Sequence, residues 1–193
     1  VGGGWNRHFI DKTALWRCTF QGQGENGVRI AGAREEQGLY LHTMLRDCTI
    51  RESGGPGVVL MGHAALMNFL DHCLIENCGQ RGGEPYLRFL KSGHATASLY
   101  HTRLLRSRGP TPTAFVDISG HHYARLMDVR IVGAEGAAAI RMDAPQAWLE
   151  RVVADGSLDL PSDRRLVYAS PNAPKMAGRT GLVLAEHCRF TAP

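Results

Sequence analysis

Residues 46–62 read Arg-Asp-Cys-Thr-Ile-Arg-Glu-Ser-Gly-Gly-Pro-Gly-Val-Val-Leu-Met-Gly. Leu45 stands three residues before Cys48, and Ile50 follows two residues after it. A Gly/Pro-rich turn leads on to Val58-Val59-Leu60, where alternation with period two marks a strand. The order returns at 71–82, Asp-His-Cys-Leu-Ile-Glu-Asn-Cys-Gly-Gln-Arg-Gly, headed by Leu70. Working outward, the same short pattern is found at Leu15-x-x-Cys18-x-Phe20, Leu99-x-x-Thr102-x-Leu104, Leu126-x-x-Val129-x-Ile131, Leu149-x-x-Val152-x-Ala154 and Ala185-x-x-Cys188-x-Phe190. The anchors 18, 48, 73, 102, 129, 152 and 188 lie 30, 25, 29, 27, 23 and 36 residues apart. A loose period of roughly 28 is solenoid-sized.

A second pattern keeps the same phase: Val28-Arg29-Ile30, Val58-Val59-Leu60, Leu87-Arg88-Phe89, Val116-Asp117-Ile118, Ile140-Arg141-Met142 and Leu166-Val167-Tyr168. The outer members of each triplet point inward and the middle one outward. The stretches 21–27, 51–57, 77–85, 107–113 and 155–163 are rich in turn formers and absorb the variation in repeat length. A sandwich has no reason to hold Leu-x-x-Cys in one phase, whereas a β-solenoid does, because consecutive coils stack about 4.8 Å apart and like residues form ladders. The expected ladders are Cys18, Cys48, Cys73, Thr102, Val129, Val152 and, beside it, Ala97, Ala124, Ala147. The fold class is therefore all-β, a single-stranded solenoid of about seven coils.

The coils 46–62 and 71–82 carry a resemblance to the pectin-lyase-like right-handed parallel β-helix superfamily, which extends over nearly the whole chain. It implies a right-handed parallel β-helix. Members include polysaccharide lyases, hydrolases, uronate epimerases, phage tailspikes and noncatalytic surface modules, so the fold does not choose an activity. The chain reads as a single β-helix domain over 1–193, a module or fragment of a longer protein, with neighbouring domains or subunits expected to cover both ends. Because family members are mostly exported, the resemblance implies an extracellular or periplasmic location.

Composition narrows the function. The chain has 193 residues, enough for one sizeable core, and a net charge of +4. Its cations are almost all arginine, since Lys12, Lys91 and Lys175 are the only lysines among 22 basic residues. No apolar run is long enough for a membrane-spanning helix, so no membrane partner is expected. Aromatic residues do not interleave with a basic groove, which argues against nucleic acid. Five cysteines, an odd number, fit an oxidising compartment poorly. Four share the inward ladder position and read as small hydrophobes, while Cys78 falls in a loop and is expected to be accessible, with a Cys73–Cys78 bridge as an open alternative.

Two features carry candidate chemistry. Gly-His recurs after the second strand at Gly62-His63, Gly93-His94 and Gly120-His121-His122. These histidines read either as a polar turn ladder or as acid and base groups near neutral pH. Zinc would want three convergent nitrogens and an orienting second shell, which three parallel histidines do not supply unaided, and the cysteines offer no C-x-x-C, so neither metal nor cofactor is expected. The outward line of the second strand runs Arg29, Val59, Arg88, Asp117, Arg141, Val167, which seats Asp117 between two guanidiniums. Arginines at coil spacing match the repeated anionic groups of an acidic polysaccharide, the expected partner. The same line also reads as a salt-bridged ladder serving stability alone.

The resemblance extends this to the Arg/His/Tyr/Asp sets of uronate lyases and epimerases. It implies Arg88 and Arg141 as carboxylate clamps with Arg29 and Asp117 completing the binding set, His94 or His121 as base and Tyr123 as acid. The Asp-Pro-His of alginate epimerases and the Gly-His-Gly and Arg-Ile-Lys of polygalacturonases are absent. The competing expectation is a noncatalytic scaffold or attachment segment of a larger surface, secreted or phage protein. A third line, Arg17, Asp47, His72, His101, Asp128, Arg151 and His187, alternates charge along one corner and reads as a cross-coil ion ladder.

Overall fold

The computed structural model describes residues 10–31, 40–61, 67–162, 165–168 and 182–191. Every strand pairing among them is parallel, and none of them lies in a helix. The chain is a parallel β-helix. Its first face stacks β1 (Ile10–Trp16), β4 (Tyr40–Arg46), β7 (Met67–Asp71), the second halves of β9 (Leu87–Tyr100) and β11 (Ala114–Met127), β14 (Gln146–Glu150) and β18 (Leu182–Glu186). The second face stacks β2 (Thr19–Gln21), β5 (Thr49–Arg51), β8 (Leu74–Glu76), β10 (Arg103–Leu105), β12 (Arg130–Val132), β15 (Val153–Ala154) and β19 (Arg189–Phe190). The third stacks β3 (Val28–Ala31), β6 (Val58–Met61), the first halves of β9 and β11, β13 (Ala138–Met142) and β16 (Ser157–Asp159).

The expected ladders are present. Leu45, Leu70, Leu99, Leu126 and Leu149 form one fully buried column, and Ala97, Ala124 and Ala147 another. Each buried leucine contributes about 1.5–3 kcal/mol relative to exposure, so the repeat itself builds the core. Between the first and second faces the chain turns in two residues. The first of these, Arg17, Asp47, His72, His101, Asp128, Arg151 or His187, has φ between 48° and 53° at every rung. Asp and His tolerate this left-handed region better than most residues. The second is the Cys18–Cys48–Cys73–Thr102–Val129–Val152 column. Its thiols donate back to the carbonyl two residues earlier, as from Cys48 to Arg46 O at 3.3 Å, and Thr102 Oγ1 does so at 2.8 Å to Tyr100 O. The column thus suits a small side chain that carries a donor, and valine fills the same volume without one.

Three expectations need correction. Cys78 is buried, not accessible, because Asn77 takes a left-handed turn (φ 49°) that drives the thiol beneath Gly57 and Ile75. All five cysteines are free, so there is no Cys73–Cys78 bridge. The third correction concerns Leu166-Val167-Tyr168, which does not continue the third face. β17 (Arg165–Tyr168) pairs instead with β18. The coil after Arg141 is short, so Asp159 takes the place assigned to Val167, opposite Arg141.

Candidate functional site

The outward line of the third face is Arg29, Val59, Arg88, Asp117, Arg141, Asp159, in continuous register. Guanidiniums therefore recur at every second rung, about 9.6 Å apart. Arg88 pairs with Glu84 (Nη2–Oε2 3.1 Å) and approaches Asp117 (Nε–Oδ2 3.6 Å). Ser119 Oγ donates to the other Asp117 oxygen at 3.1 Å. Asp117 is thus held by one guanidinium and a hydroxyl, not by two guanidiniums. Arg141 turns instead to Asp159, donating from Nε at 3.0 Å, because that carboxylate occupies the next rung.

Loops 22–27, 52–57 and 77–85 wall off one end of this face. With Arg29 and Arg88 they enclose a shallow groove of about 490 Å³ whose charged lining is Glu25, Arg29, Arg81, Glu84 and Arg88. Arg81 was not foreseen. Its side chain lies across Gly24 and Gly54, and a Cβ on Gly54 would sit 3.0 Å from its Nε, so the glycines make the room it uses. Among the described residues no carboxylate lies within ion-pair distance of Arg29 or Arg81, whereas Arg88 and Arg141 are both engaged. A second groove of about 390 Å³, lined by Pro112, Thr113, Arg141, Ser157 and Asp159 among others, continues along the same face.

Of the residues expected to act as acid and base, only Tyr123 has a described side chain. The side chains of His94 and His121 lie outside the described residues, as does all of His63. The backbone of His121 pairs with Ser92, and the register between β11 and β9 shifts just beyond it. Tyr123 lies past that irregularity, on the first face, opposite Thr96 and Gln146. The backbone turns at Gly120 (φ 72°) between them, so Tyr123 and Asp117 lie on different faces. Burial pushes the Tyr123 phenol up from its ordinary range, against a smaller opposing effect of Arg125, and it keeps its proton at neutral pH.

A second constellation lies at the left-handed corner. Asp71, the last residue of β7, accepts at Oδ1 from His72 Nδ1 (2.7 Å) and His101 Nδ1 (3.0 Å). The two imidazoles stack with centroids 4.4 Å apart and planes 22° from parallel. On the far side of His101, Nε2 lies 3.5 Å from Asp128 Oδ2. Asp128 is gripped by Arg151, whose Nε and Nη2 donate at 2.6 and 2.8 Å, and Arg151 also pairs with Glu150. Arg46 Nε lies 3.6 Å from the second Asp71 oxygen. Burial raises the Asp71 carboxyl, but hydrogen bonds from His101 and His72 and their charge bring it below the usual carboxylate range. Among the described residues the ion ladder expected at this corner is present only from His101 through Asp128 to Arg151; Arg17 lies over the Trp16 ring, Asp47 and His187 face Arg46 and Glu186, and the tightest convergence is at Asp71.

No family model, curated protein or solved structure matches this chain.

The third face thus presents guanidiniums at every second rung beside two grooves, and the corner brings two imidazoles and a carboxylate together. Among the described residues no helix is long and apolar enough to cross a membrane.

Proposed function

We propose that the chain is a carbohydrate-binding β-helix module that holds an anionic polysaccharide along its third face. The observation carrying this reading is the recurrence of Arg29, Arg88 and Arg141 at every second rung beside two open grooves. A polymer with regularly spaced carboxylates or sulfates would meet a guanidinium at each repeat. Arginine suits such groups because its planar donors engage two oxygens at once. Arg29 and Arg81, having no carboxylate partner among the described residues, are the groups that gain most from a ligand. A ligand of this kind is met outside the cytoplasm, in line with an extracellular or periplasmic site of action.

A second reading, a noncatalytic structural or attachment segment, is favoured by one observation. Arg88 and Arg141 are already neutralised by Glu84, Asp117 and Asp159. Calorimetric titration with polygalacturonate, alginate and heparin separates the two. Binding that weakens with added salt and with Arg29→Ala supports the glycan reading. No binding to any of the three leaves the structural one. Absorbance in the unsaturated-uronate band during the same incubations reports whether a lyase reaction, with His94 or His121 as base, accompanies binding.

A further inference from the structure

The geometry points to a divalent transition-metal site at Asp71, His72 and His101, independent of the glycan reading. The three ligating atoms lie within 4.8 Å of one another. A tetrahedral cation held at ~2.1 Å keeps its ligand atoms about 3.4 Å apart, so the present 2.7 and 3.0 Å separations need open by only about half an ångström. Both histidine side chains are about half exposed, at 52% and 49%, so solvent leaves room for the rings to turn until the Nδ1 lone pairs converge on a cation. Two imidazoles and one carboxylate select zinc, copper or nickel over calcium or magnesium. The fourth position is left to water or an incoming ligand.

The surroundings of His101 supply the second argument. A neutral His101 carries a single ring proton and can donate to Asp71 or to Asp128 but not to both, and its Nε2 lies 3.5 Å from the Asp128 carboxylate. A metal on Nδ1 resolves this, because the ring proton moves to Nε2 and Asp128 accepts it. Metal-bound histidines characteristically give their other N–H to a carboxylate in this way. Arg151 fixes both oxygens of that carboxylate, and Arg46, beside the outer Asp71 oxygen, leaves Oδ1 turned to the rings. The left-handed backbone at His72 (φ 52°) and His101 (φ 48°) sets the two residues on successive rungs, one above the other.

The test is titration of the whole chain with zinc and with nickel in metal-free buffer, followed by calorimetry and by imidazole proton–nitrogen correlation spectra. One site is expected, with the His72 and His101 signals shifting on saturation. His72→Asn and His101→Asn should each weaken it at least tenfold, and asparagine tolerates the left-handed backbone, so both variants should fold. Asp128→Asn should weaken it 10–100-fold, as removal of an outer partner does. His187→Asn, on the same corner but outside the cluster, should leave it unchanged. Absence of zinc and nickel binding would overturn the site, and so would affinity unaltered in the His72→Asn/His101→Asn double variant.

Discussion

Arg151 clasps both carboxylate oxygens of Asp128 from one rung above, with donor distances of 2.6 and 2.8 Å. That hydrogen bonding, outweighing partial burial and helped by the charges of Arg151 and His101, holds the Asp128 carboxyl below the ordinary range. Asp71 is shifted in the same direction. A carboxyl with a lower pKa in the folded state adds stability above its unfolded value. That stability is lost as pH falls through the folded value. The melting temperature should therefore hold from neutral pH to about pH 5 and then decline as both groups protonate. Asp71→Asn and Asp128→Asn should begin lower and decline less over the same acid range. Curves parallel to wild type would show that the corner carboxylates do not contribute.

Gly57 marks a tighter constraint. A Cβ there would lie 2.6 Å from Ile75 Cγ2, 2.9 Å from Cys78 Sγ and 2.9 Å from the Tyr86 carbonyl. Gly27, one rung away, would in turn strike the Gly57 carbonyl at 2.6 Å. Gly57→Ala should destabilise by about 1–3 kcal/mol, the usual range for overpacking. Denaturant unfolding measures this, and a midpoint equal to wild type would mean that the turn shifts freely.

The thiols should separate by depth. Burial pushes Cys73 up to about 12 and raises Cys48 and Cys78, so none of the three is a thiolate at neutral pH. In the native protein Cys73 and Cys78 should resist iodoacetamide for hours and react within minutes once denatured. Mass mapping of the alkylated peptides reads this directly, and rapid native labelling of Cys78 would contradict its placement beneath Gly57.

Binding and stability should come apart on the third face. Arg29→Ala and Arg81→Ala remove guanidiniums that hold no carboxylate among the described residues, so the unfolding free energy should change by less than about 0.5 kcal/mol. Each should weaken anionic glycan binding about tenfold, since a charged hydrogen bond contributes roughly 1.5–3 kcal/mol. Arg88→Ala should affect both, because it also leaves Asp117 with only Ser119. Equal affinity for all four proteins would remove the binding reading from this face.

The fold was legible because stacking converts sequence spacing into register. The interval from Cys48 to Cys73 is the same 25-residue offset that pairs Met44 with Phe69, and the interval from Cys73 to Thr102 pairs Leu70 with Leu99. Loops broke the arithmetic where their length changed. Asp159 reaches its rung only 18 residues after Arg141, too soon for a period near 28 to anticipate. Arg81 was missed because it enters the groove from a loop, where no periodicity applies. The histidine cluster was only half visible. His72 and His101 share a column, but Asp71 belongs to the neighbouring outward position, and a diagonal contact between columns leaves no trace in a one-dimensional repeat. The left-handed corner had a signal that a reading by charge passes over, namely Asp or His at five of its seven positions.

That corner gives the molecule something like a rail. Its bend is set by backbone torsion and by hydrogen bonds to the coils on either side, as from the Asp128 amide to the Glu150 carbonyl, so the side chain mounted there does little to hold the curve. Whatever is mounted at one stop faces its counterparts at the next, at a pitch fixed by the stacking of the sheet. A row of ligating, acidic or basic groups can thus be rewritten one stop at a time while the coil beneath keeps its path.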